Sequence, residues 1–166
     1  MSKPENLSDL YYGELKDLWS ANDQMHRALK KVTSKISDDK LGEMIQKSLD
    51  GIETHTETVK GLIEAGDEKV KKEHCKGMEG LVSEFVKHTT EEAPKKGAAF
   101  DAVVIAQYQR MSHYGIAGFG TAAAYAQALG KSDDRKKLDE ITKGIYGADE
   151  YATKLAETAV NVDAKD

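Results

Sequence analysis

His55 lies on an apolar stripe, Leu41, Ile45, Ser48, Ile52, His55, Val59 and Leu62, whose steps of three and four are those of a helix face turned to a core. An imidazole there is a satisfied core histidine unless a neighbouring acid orients it as a base or ligand, and Asp149, beside the last helical stripe, is a candidate for that acid. Asn22 is a second polar intrusion, an amide in the middle of the stripe Leu7, Tyr11, Leu15, Leu18, Asn22, Met25, Leu29, Val32, Ile36. A buried amide is costly unless it is hydrogen-bonded. The run SHYGIAGFGTAAAYAQALG, residues 112–130, places Ser112 and Gly115 where a buried helix normally carries bulk, and Gly51 sits one turn before His55 on the same face. A helical glycine costs about 1 kcal/mol relative to alanine, so several at one level need a packing or functional reason.

Other chemistry is sparse. Cys75, the single cysteine, permits no intrachain disulfide or multi-cysteine metal site; beside Lys76 at a helix start it is either an activated thiol or a packing residue. His113 lies off the core stripe, and His26, His74 and His88 read as surface residues. No Ser–His–acid constellation, phosphate-binding glycine loop or zinc spacing is present.

These residues need long helices to position them. Caps, glycine stops and stripes predict helices at about 6–36, 39–65, 76–88, 98–129 and 132–159, with residues 161–166 frayed. The short break at Ser37–Asp39 makes the first two helices an antiparallel hairpin. Residues 67–96 form a crossover with its own short helix, and Gly130 to Asp133 separate the last pair. Two hairpins joined by a crossover make an all-α, ferritin-like antiparallel four-helix bundle, a single domain over residues 1–166.

Composition agrees. The 166 residues include only two prolines, and 32% are charged, as suits solvated helices. A net charge of -5, with lysines interspersed among acids, gives no basic surface for nucleic acid. The N-terminal segment lacks a signal-peptide core, and residues 114–130 are too short and too rich in glycine and alanine to span a membrane. A reducing, cytoplasmic setting is expected.

Three runs carry a family resemblance: Glu14, Leu15, Asp17, Leu18, Ser20, Ala21, Gln24; Cys75, Gly77, Met78, Gly80, Leu81, Glu84; and His113, Tyr114, Ile116, Ala117, Gly120, Thr121. From Leu7 to Ala156 the chain resembles the YciE/YciF-type bacterial stress proteins of the ferritin-like superfamily. The resemblance implies a homodimer and mid-bundle carboxylates able to hold a pair of iron or related ions. At the matching positions this chain departs from that pattern. The helix-one glutamate falls on Asn22. The helix-two glutamate and glutamine fall on Gly51 and His55, and the ends of the Glu-His-Tyr-Glu run on Ser112 and Gly115. The acidic run of the last helix falls on Lys143, Gly144 and Ile145, with Asp149 matching an aspartate.

A dimetal site of this class needs about four carboxylates and two histidines facing inward, so no metal or other cofactor is expected. The leading expectation is a stress-response protein with a degenerate metal site. It would bind a small molecule in a core pocket of Asn22, Gly51, His55, Ser112, Gly115, Gly144 and Asp149, or a partner protein. Two alternatives stand beside it: a metal-free enzyme using His55, Asp149 and Tyr114 or Tyr146 as acid–base groups, or a site retaining one ion through Glu14, Glu53 or Glu57. The missing volume leaves two outcomes, an open pocket or a core collapsed by Tyr146, Tyr114 or Trp19.

Overall fold

The structure, a computed structural model, describes residues 3–66 and 68–165. Of the expected span 1–166, Met1, Ser2, Asp67 and Asp166 lie outside the described residues. Five helices carry the fold: α1 (Leu7–Lys30), α2 (Asp39–Ala65), α3 (Lys76–Val86), α4 (Ala98–Ala128) and α5 (Ser132–Leu155). Asn6 caps α1 by accepting from the Asp9 amide at 3.0 Å, and Asp38 caps α2 by accepting from Leu41 at 2.8 Å.

The helix ends depart from expectation where side chains compete for backbone groups. α1 stops at Lys30 rather than near Ile36, because the Thr33 hydroxyl takes the Lys30 carbonyl at 3.1 Å and the chain tightens into a 3-10 turn, Thr33–Lys35. Val32 is still buried just beyond the helix. At the other terminus the chain does not fray at residue 161. It runs through a wide π turn, Ala156–Val160, into a helical turn, Asn161–Asp163, anchored by buried Val160. Gly66 ends α2 with a negative φ. Glycine is needed there because the Tyr12 hydroxyl occupies the space a Cβ would take. Gly130 ends α4 by the other route, a left-handed φ of 72°.

One buried carboxylate sets the order of the hairpins. Asp101, in the first turn of α4, is 1% exposed and accepts from the Ser37 and Asp38 amides at 3.1 and 2.8 Å. The start of α4 therefore lies at the start of α2, and the two helices run parallel. A 27-residue α2 is about 40 Å long, so the chain must return the full length of the bundle between them. That return is the crossover. It is tied to α1 by the Lys16–Glu68 ion pair at 2.9 Å and by the Glu73 amide donating to the Lys16 carbonyl.

The crossover helix α3 packs over the groove between α1 and α4. Cys75 caps it, its sulfur accepting from the Met78 amide at 3.3 Å, while the Ser20 hydroxyl accepts from the Cys75 amide and Gln24 donates to its carbonyl. The Tyr114 hydroxyl donates to Asp17 at 2.8 Å and lies 2.9 Å from the Cys75 sulfur. The tyrosine has one hydroxyl proton and spends it on Asp17, so the thiol is the donor in the second bond. Burial pushes the Cys75 thiol up from its ordinary pKa, the opposite of activation. Gly77 makes the contact possible, since a Cβ there would meet the Tyr114 ring at 2.6 Å.

Burial raises the Asp101 carboxyl pKa and its two amide bonds oppose that shift. Asp101→Ala would leave both amides unpartnered at the junction of α2 and α4. The expected loss is about 2 kcal/mol in denaturant melts, with a smaller loss for Asp101→Asn, which keeps one acceptor.

Candidate functional site: a cavity at the middle of the bundle

The apolar core forms two clusters. One gathers Met25, Leu29, Ile45, Phe85, Phe100 and Tyr108 toward the start of α2; the other gathers Tyr11, Leu15, Val59, Ile63, Phe119 and Leu138 toward its end. Between them lies a level of small and polar residues. Asn22 and Ser112 are buried there, His55 is half-buried, and Gly51, Gly115 and Gly144 carry no side chain. A cavity of about 450 Å³ opens at this level, within the size range of small-molecule sites.

The cavity reaches the surface between α2 and α5. Its walls draw on α1 (Leu18, Ala21, Met25), α2 (Met44, Ile52), α3 (Met78), α4 (Tyr108, Met111) and α5 (Ile145, Ala148). α3 seals the groove between α1 and α4, whereas among the described residues no helix covers the opposite groove. From Thr142 to Tyr151 no residue of α5 is fully buried. A Cβ on Gly144 would meet no atom within 4 Å, and one on Gly51 would meet only the His55 ring at 3.9 Å.

Hydrogen bonds brace the space. Asn22 donates to the Thr56 hydroxyl at 3.2 Å, and that hydroxyl donates to the Ile52 carbonyl at 2.8 Å, tying α1 to α2 and satisfying the amide. The Tyr108 and Ser48 hydroxyls meet at 2.9 Å, bridging α4 and α2 across the diagonal. His55 and Ser112 make no side-chain hydrogen bond to protein among the described residues. His55 packs edge-on to Phe119, with ring centroids 5.9 Å apart, and burial lowers its pKa, so its imidazole faces the cavity neutral.

Six of the seven expected pocket residues, Asn22, Gly51, His55, Ser112, Gly115 and Gly144, line this cavity. Asp149 does not. Its carboxylate turns to the α4–α5 surface, where it accepts from Gln109 at 3.0 Å and meets His113 Nε2 at 3.1 Å. The expected His55–Asp149–tyrosine acid–base set is therefore not assembled: Tyr114 is held on the far side by Asp17 and Cys75, and Tyr146 is 54% exposed. None of the three side chains expected to collapse the core does so. Tyr146 points outward, Tyr114 packs under α3, and the Trp19 ring lies 5.0 Å from the Lys60 ammonium.

The donor set does not fit a dimetal centre. It offers one imidazole, an amide, hydroxyls and, at the rim, the single carboxylate of Glu43, and among the described residues no three His, Cys, Asp or Glu side chains come close enough to share an ion. The acids weighed for a single ion are engaged elsewhere. Glu53 pairs with His26 and Glu57 with Lys60, while half-buried Glu14, its pKa raised by burial and by Asp17, does not line the cavity.

Sequence reasoning missed three features of the site. Every methionine after Met1 lines the cavity, one from each of α1 to α4. The Ser48–Tyr108 and Asn22–Thr56 pairs were not foreseen. Nor was the rim of Lys40, Glu43 and Lys47 on α2. A signal for the methionines was present: Met25, Met44 and Met111 stand three or four residues from Asn22, Ser48 and Gly115, on the same faces.

Comparison with known proteins gives the same bundle. The chain is 32% identical to Protein YciF of Escherichia coli strain K12 over 162 residues, covering 97% of this chain and 96% of that protein. It superposes on the crystal structure of the Escherichia coli stress protein YciF with a TM-score of 0.87 and 31% identity, over 95% of this chain and 99% of that one. The Rhodopseudomonas palustris protein YcfI gives a TM-score of 0.85 at 25% identity, over 92% and 97% of the two chains. A family model described as a domain of unknown function, DUF892, matches residues 6–165. With that span and these relatives, the chain belongs to the DUF892 family, to which its ferritin-like four-helix bundle and crossover helix conform.

Proposed function

We propose that this chain is a stress-response member of its family that acts by binding a small molecule in the middle of its bundle, not by dimetal chemistry. The observation that carries the reading is the open mid-bundle cavity, in which Asn22, His55 and Ser112 stand among largely apolar walls. Such a space with a few polar groups is the usual form of a ligand site. The stress-response part rests on the relative named as the Escherichia coli stress protein YciF. A cytoplasmic setting, supported by the lone buried thiol, and a homodimer, supported by the family resemblance, belong to the same reading. Among the described residues no helix is long and apolar enough to cross a membrane.

Protein purified after iron-replete growth should carry far less than one iron per chain by elemental analysis. Two tightly held irons per chain would overturn the metal-free reading.

A Cβ at Gly115 would touch only Ile145 Cδ1, at 3.4 Å, and Gly115 lines the cavity, so a larger side chain there would take up its space. Gly115→Leu should therefore abolish binding of a neutral apolar dye such as Nile red. It should leave the denaturant midpoint unchanged or raised, since removing a helical glycine is worth about 1 kcal/mol. A clear loss of stability would point to a core with no room and remove the basis for a ligand site.

His55 adds a pH signature. Its folded pKa lies below the ordinary value because burial disfavours the charged ring, so the unfolded chain binds the proton more readily. Stability from this group is complete above the unfolded pKa and is lost as pH falls through the folded one. Between about pH 7 and pH 5 the parent should lose stability faster than His55→Gln. Parallel curves for the two proteins would show that His55 does not titrate differently on folding.

A further inference from the structure

The distribution of charge and length in the cavity narrows the ligand class, on the assumption that the core binds a small molecule at all. Its lining follows one face of α2 from Lys40 to His55, roughly 22 Å at the helical rise per residue. A compact space of 450 Å³ would be roughly 10 Å across, so a lining of this length marks an elongated cavity. Such a shape suits an extended ligand better than a compact one.

The walls are apolar and adaptable. Met25, Met44, Met78 and Met111 present flexible, polarisable thioethers from four different helices, a lining that moulds to slender apolar ligands. The deep end offers neutral polar groups only, Asn22, Ser112 and the uncharged His55. All fixed charge lies along the exposed rim of α2, on Lys40, Glu43 and Lys47, in the half of the lining nearer the start of that helix. Neither lysine forms an ion pair among the described residues, Glu43 is the one acid lining the cavity, and the rim carries a net positive charge. The exposed Tyr151 of α5 stands at the same end of the bundle and adds a hydroxyl.

We propose that the cavity takes a slender amphiphile, its hydrocarbon chain lying along α2 among the methionines and its anionic head, a carboxylate or an equivalent, at Lys40 and Lys47. The chain supplies most of the affinity through apolar burial. The lysines set its direction and favour an anionic over a neutral head, because both stand on the rim toward the start of α2 and no cation lines the cavity toward His55.

The test is displacement of Nile red from the full chain by dodecanoate and, separately, by dodecanol, for the parent and for Lys40→Glu/Lys47→Glu. Both substituted side chains are exposed, and a melt of the double variant checks that it folds. The expected result is that dodecanoate displaces the dye at about fivefold lower concentration than dodecanol, the difference worth one exposed ion pair. That preference should shrink as salt is raised and disappear or reverse in the double variant, with dodecanol unaffected. If dye binds the parent and is lost in Gly115→Leu, yet the acid and the alcohol compete equally, the anionic-head proposal is overturned while the core-ligand reading stands. If no dye binds the parent and neither dodecanoate nor dodecanol binds by calorimetry, the core-ligand reading itself fails.

Discussion

A helical bundle closes its core by filling it, and this one has almost nothing with which to fill its middle. The clusters above and below hold the four long helices at the spacing their own side chains require. Between them Gly51, Gly115 and Gly144 contribute no side chains, and rigid helices cannot bend inward over so short a level without unpacking both clusters. The gap is therefore a consequence of two well-packed ends. The Asn22–Thr56 and Ser48–Tyr108 bonds then act as cross-braces, turning missing volume into a space of definite shape.

The crossover decides which side of that space is open. Because Asp101 ties the start of α4 to the start of α2, the chain must travel the length of the bundle between the hairpins, and it lays α3 over the groove between α1 and α4. Among the described residues the groove between α2 and α5 has no such cover. Fold and access are thus linked through one carboxylate far from the cavity.

Much of this was legible in the residues and some was not. The stripes of Leu7 to Ile36 and Leu41 to Leu62, with the short break at Ser37–Asp39, reveal the helices and the hairpin order, because burial imposes a period that a sequence cannot hide. The end of α1 was overrun, since a stripe shows which residues would pack but not that a threonine hydroxyl captures a helix carbonyl. Asn22, Gly51, His55, Ser112, Gly115 and Gly144 line one cavity, at the positions where the family resemblance put the mid-bundle level. Asp149 lies one residue from Ala148, an angular difference of about 100° on a helix, and that step carries its carboxylate to the outer surface beside His113. Asp101 was invisible for a related reason: a buried acid held by two amides of a distant turn has no periodic signature.

The proton arrangement around Cys75 has a consequence for how the crossover can be watched. The thiol is wholly buried, donates to Tyr114 and holds the first turn of α3 in place, so reagent cannot reach the sulfur while that turn is docked. Its labelling rate under native conditions measures how often α3 lifts from α1 and α4, and comparison with the global unfolding rate separates local opening from whole-molecule unfolding. The chain thus carries an intrinsic timer for its crossover, set in the one connection that the rest of the bundle could not do without.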